Sequence, residues 1–110
     1  MDSSDGYIYI LSSPSSHVKK IGFTQRKVTV RLKEWRKSCP SMDYKLQSWL
    51  MCRQVKKTER LAHRIFAKKR LARHTCIDCK KHHRELFLLP ITNDACLSVI
   101  LWANLLALSL

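Results

Sequence analysis

Residues 7–11, Tyr-Ile-Tyr-Ile-Leu, are a run of β-formers with side chains alternating between two faces, and they predict a strand. A Ser-Ser-Pro-Ser-Ser cluster at residues 12–16 is a turn signal, and residues 18–23 predict the returning strand of a hairpin. Period-two geometry puts Ile8 and Ile10 on one face and Tyr7 and Tyr9 on the other. Ile21 belongs with the core, which turns Lys20 and Gly22 to the opposite side. One face of the hairpin is therefore expected to carry both tyrosines and the lysine, as a working face would.

The period then changes from two to that of a helix. Val28, Leu32 and Trp35 follow an i, i+4, i+7 pattern and mark the buried stripe of a helix over residues 28–38. Arg31 shares that stripe. An inward arginine needs an anion or a carboxylate; the alternative is a snorkelling side chain that only covers apolar surface. Residues 44–52 predict a third strand, and residues 56–71 a second helix. The apolar face of that helix is Leu61, Ala62, Ile65 and Phe66. Lys57, Arg60, Arg64 and Lys68 form a basic ridge at helical spacing, and Glu59 and His63 stand at the border between the two faces. Residues 85–89 predict a short fourth strand ended by Pro90. Asn93 or Asp94 is expected to cap a final helix running to residue 110.

Charge sharpens this outline. The chain has 110 residues, room for one domain with a modest core, and 21 Lys plus Arg against 8 carboxylates give a net charge of +13. Every cation lies between Lys19 and Arg84. A basic body followed by an uncharged tail points to a polyanion, with nucleic acid first and an anionic membrane second. The plain alternative is a solvated, self-repelling surface. The carboxylates include no close pair, which argues against two-metal chemistry. Residues 1–6 are short, polar and acidic, so no signal peptide is expected. Five cysteines without such a signal argue for a reducing compartment and an intracellular protein, nuclear or cytoplasmic.

Tyr7-Ile8-Tyr9, Lys20-Ile21-Gly22 and the helix-borne Arg31 follow one another at spacings that resemble the GIY-YIG nuclease superfamily. The resemblance is closest to its phage-type branch, the T-five Orf DNA-binding domains, where "YIG" usually reads "KIG". Arg31-Leu32, the run from Glu59 to His63 and the step His83-Arg84-Glu85-Leu86-Phe87 fit as well, so the resemblance spans residues 6–89. It implies an α/β fold, a small and mostly antiparallel sheet flanked by helices, with residues 1–90 as the DNA-binding domain and residues 91–110 as an apolar C-terminal helix. It also implies a site. Tyr9 would help deprotonate a water, Lys20 would lower the tyrosine pKa or contact phosphate, and Arg31 would clamp phosphate. Glu59 would hold a catalytic Mg²⁺ or Mn²⁺, with Glu85 in reserve, and His63 would shuttle protons. Tyr7 replaces the glycine of "GIY" and Lys20 replaces a tyrosine. These departures bear on turnover more than on DNA binding.

Residues 74–83 hold two cysteines and three histidines. Cys76-x-x-Cys79 is the knuckle that lets two thiolates share a tetrahedral Zn²⁺, and a histidine a few residues on supplies a third ligand. Similarity to fungal members of the phage-type branch favours His83 over His82 and His74. Cys39, at the end of the first helix, is the expected fourth ligand, and Cys52 the reserve. Such a clip would pin the loop against the first helix.

Residues 95–110 are apolar apart from Ser98, Asn104 and Ser109, short of the roughly 20 residues of a bilayer span and without flanking cations. A core or partner-facing helix is favoured over a membrane anchor. The chain stops inside this run without a cap, so a longer natural sequence is expected. Three classes remain: a DNA-binding domain with metal-dependent endonuclease activity, a non-catalytic zinc-stabilised nucleic-acid or interaction module, and a basic peripheral membrane protein.

Overall fold

The computed structural model describes residues 4–13, 18–70, 78, 86–89 and 92–109. The elements run β1 (Gly6–Ser12), β2 (Val18–Thr24), α1 (Val28–Ser38), β3 (Lys45–Cys52), α2 (Val55–Ile65), β4 (Leu86–Leu88) and α3 (Asn93–Ser109). The strands form one sheet in the order β3-β1-β2-β4, and every neighbouring pair is antiparallel. The expected α/β fold, an antiparallel sheet flanked by helices, is what the chain adopts.

The hairpin register pairs Tyr9 with Gly22 and Leu11 with Lys20, so Tyr7, Tyr9, Lys20 and Gly22 share a face. The sheet thereby separates two cores. On one face Ile8, Ile10, Ile21, Cys52 and Phe87 pack with Val55, Ala62 and Phe66 around α2 and with Cys96, Ile100 and Ala103 of α3. On the other, Tyr9, Leu11, Tyr44 and Leu86 pack with Val28, Trp35 and Cys39 at α1. Burial pushes the thiols of Cys52 and Cys96, both in the first core, up to about 11.

Three expectations need correction. The second helix stops at Ile65 rather than at residue 71, because Phe66 leaves helical geometry and turns into the core. The chain tightens there into a 3₁₀ turn (Ala67–Lys69), and Arg70 bridges to Phe87 beside β4. Ile65, assigned to the apolar face, is consequently exposed. The last helix is capped by Thr92 rather than by Asn93 or Asp94: the Thr92 hydroxyl accepts from the Ala95 N–H at 3.1 Å. Asn93 instead reaches across to Gln47 on β3. Lastly, the face carrying the tyrosines and the lysine is closed at Tyr9 and Lys20, and only its Tyr7 end keeps partial exposure. Helix α1 covers the closed part.

Helix α3 buries Cys96, Ile100, Ala103 and Ala107 along one stripe and leaves Leu101, Trp102, Leu105, Leu106 and Leu108 exposed on the opposite side. Among the described residues no helix is long and apolar enough to cross a membrane.

Candidate functional site

Trp35 is the hub of the α1 side of the sheet. Its indole N–H donates to the Tyr9 hydroxyl at 2.9 Å. The Lys20 ammonium lies 3.5 Å from the centre of the Trp35 ring and 5.5 Å from that of Tyr44. The Arg31 guanidinium stacks on the same tryptophan at 4.2 Å. Three of the five expected catalytic residues therefore gather around one indole. Sequence periodicity identified Trp35 only as a core residue. Its position four residues after Arg31 is the signal that the two would share a surface.

The arrangement is dry. Tyr9 is 2% exposed and Lys20 0%. A desolvated ammonium is costly, and two aromatic faces offset part of that cost, since a cation–π contact reaches about 2 kcal/mol or more away from water. Gly22 is required by the same packing. A Cβ there would stand 2.6 Å from the Tyr9 hydroxyl oxygen, so the tyrosine ring can lie across the neighbouring strand only over a glycine.

Arg31 is half-buried, and the carboxylate its position called for is Glu34, 3.1 Å away one turn along α1. Arg26 engages the same carboxylate with two hydrogen bonds of 2.9 and 2.7 Å. Hydrogen bonds from Arg26 and then Arg31 hold the Glu34 carboxyl below its ordinary range.

Glu59 and His63 are carried by α2, whose buried residues pack in the core of the opposite face. His63 Nε2 donates to the Ile21 carbonyl at 2.8 Å and its ring packs on Phe87 at 5.0 Å, next to the point on β2 where β4 begins. Lys20 to Arg31 and Glu59 to His63 thus belong to different layers of the molecule. Of the expected basic ridge, Arg60 and Arg64 are exposed on α2 and Lys57 is half-buried there, whereas Lys68 is exposed in the 3₁₀ turn beyond the end of the helix. Lys57 and Arg60 also line a polar cleft with Ser4, Gln54 and Lys56.

Cys76, Cys79, His83 and Glu85 lie outside the described residues. Cys39, the fourth member of the expected clip, is fully buried at the C-terminal end of α1. Asp78, inside the Cys76-x-x-Cys79 sequence, accepts hydrogen bonds from the Ser41 backbone N–H at 3.0 Å and from the Ser41 hydroxyl. Ser41 is two residues after Cys39 in the chain. Cys52, the reserve ligand, belongs to the core of the other face. Among the described residues no group of three or more His, Cys, Asp or Glu could hold a metal ion.

The T5orf172 domain family matches residues 6–104, nearly the whole chain. The protein belongs to that family. Its members are phage-type, nuclease-like domains associated with DNA. No curated protein and no solved structure matches the chain.

Proposed function

We propose that this T5orf172 domain binds duplex DNA by charge, and that the residues resembling a nuclease centre serve here to seat α1 on the sheet. The observation that carries this reading is the contrast in exposure between two sets of residues. Tyr9 and Lys20 are packed away from water around Trp35, while Arg60, Arg64 and Lys68 of the α2 side are exposed. A tyrosine that aligns an attacking water must meet that water. A buried hydroxyl holding an indole N–H suits a structural role better. Glu59 fits poorly as the ligand of a catalytic Mg²⁺ or Mn²⁺, since it sits on the helix of the opposite layer from Tyr9 and Arg31, and the reserve ligand Glu85 lies outside the described residues.

Binding through phosphates has a measurable signature. Affinity for a duplex should fall with salt by a log–log slope of about −0.9 per neutralised phosphate. Reversing Arg60 and Arg64 to glutamate should weaken binding to all sequences alike and flatten that slope. Binding indifferent to salt would sink the reading. Metal-dependent nicking of plasmid DNA that Arg31→Ala abolishes would instead restore the endonuclease.

The Asp78–Ser41 contact favours a structural zinc as a second element of this function. Cys39, Cys76, Cys79 and His83 would hold it, tying the loop before β4 to the end of α1. The bound ion would supply cross-linking, with no open position for catalysis. Elemental analysis of protein purified without added metal should find one zinc per chain, lost together with thermal stability in Cys39→Ser. Metal-free protein of unchanged stability would dismiss the clip.

A further inference from the structure

Between β1, β3 and the first turn of α1 the surface opens into a cleft of about 210 Å³ lined by Tyr7, Lys27, Val28, Thr29, Leu46 and Trp49. Neither the buried Tyr9 layer nor the α2 ridge uses it. Trp49 is 54% exposed at the middle of an edge strand, where a large aromatic side chain gains little from the fold. The ring is nevertheless held in place. Tyr7, on the neighbouring strand, meets it edge to face with centroids 5.7 Å apart and planes at 81°.

The rim of the cleft is cationic. Lys27 and Thr29 stand exposed at the start of α1, whose first turn contains no acidic residue. The dipole of that helix start, which has no side-chain cap, adds to the positive potential of Lys27. An aromatic platform beside a positive rim is the combination that single-stranded nucleic acids use, with bases stacking on the rings while the phosphates follow the charge. A methylated-lysine peptide would also suit an aromatic wall, but a rim lysine on a chain of net charge +13 repels it.

We infer that the Tyr7–Trp49 cleft takes an unpaired nucleobase, stacked on Trp49 with its flanking phosphate at Lys27 and the α1 N-terminus. This inference rests on the DNA-binding reading. It adds preference for a strand end, gap or junction, where a base is free, to the sequence-blind hold on duplex phosphates.

The test compares three labelled probes by fluorescence polarisation at low salt. They are an oligothymidine strand, a strand of equal length built from abasic sugar-phosphate units, and a duplex. Wild-type protein should bind oligothymidine roughly tenfold tighter than the abasic strand, in keeping with the energy of stacking one base on an aromatic side chain. Trp49→Ala should erase that difference and leave duplex affinity within about twofold, because phosphate contacts do not need the ring. Trp49→Phe, which retains a stacking face, should keep most of the preference. Equal affinity of wild type for the two strands, or a preference that survives Trp49→Ala, would overturn the inference while salt-dependent duplex binding stood. Absence of binding to all three probes would remove the inference and the DNA-binding reading together.

Discussion

The two faces of the sheet are built by different physics. Under α2 and α3 the core cluster is mostly aliphatic and aromatic, built from Ile8, Ile10, Ile21, Val55, Phe66, Phe87 and Ile100, with hydrogen bonds at its border from His63 to the Ile21 carbonyl and from Asn104 to Thr58. Under α1 it is organised by direction as well as by volume, with an indole N–H on a phenol oxygen and one tryptophan flanked by a lysine and an arginine. An aliphatic face accepts any well-packed substitute of similar volume. A face held by hydrogen bonds and cation–π contacts specifies particular atoms. The Tyr9, Lys20 and Arg31 part of the likeness to a nuclease centre falls on the second kind of face, while Glu59 and His63 belong to the helix that covers the first. Residues suited to polar chemistry in an open site are also suited to fixing a helix at one orientation in a closed one.

This contrast can be broken at its aliphatic end with the larger effect. Ile10→Ala removes buried volume with little room for relaxation and should cost about 2–5 kcal/mol, read as a lower midpoint in urea. Ile10→Val should recover most of the loss. A loss no larger than that of an exposed substitution would mean that this core is loosely packed. The smaller effect comes from the directional face and involves almost no change of volume. Tyr9→Phe deletes the oxygen that accepts the Trp35 N–H, and should cost on the order of 1 kcal/mol. A double-mutant cycle with Trp35→Phe should return a coupling of similar size. Additive losses would show that the two side chains merely touch, and the distinction between the faces would collapse to one of composition.

Most of the fold was legible because most of its signals are local. Alternation in residues 7–11 and the i, i+4, i+7 spacing of Val28, Leu32 and Trp35 set β1 and α1 close to their observed limits. The grouping of Tyr7, Tyr9 and Lys20 on one face follows from pleating alone. What failed depended on tertiary contact. Ile65 and Phe66 continue a helical pattern perfectly well, and only the turn of Phe66 into the core ends α2. Thr92 outranked Asn93 as a cap because Asn93 was drawn to Gln47, a partner 46 residues away. For the candidate site, facing direction was readable and accessibility was not. Nothing near Lys20 in sequence says that Trp35 and Tyr44 will lie over its ammonium. The Tyr7–Trp49 cleft escaped for a related reason: both residues read as ordinary strand formers until β3 is known to lie beside β1.

Gly22 has a consequence for how such a chain can change over generations. The space that a side chain would need at position 22 is filled by the ring of Tyr9, and the hydroxyl on that ring is held by Trp35. These three positions on three successive elements therefore form one inherited unit. Replacing the glycine first evicts the tyrosine and strands the indole, so that order of mutation passes through a damaged protein. A smaller residue at position 9 makes room at position 22 but removes the hydroxyl that accepts the Trp35 N–H, so that order is damaging as well. Descendants of this domain should consequently show either the whole trio or a wholesale replacement of it, with few intermediates between.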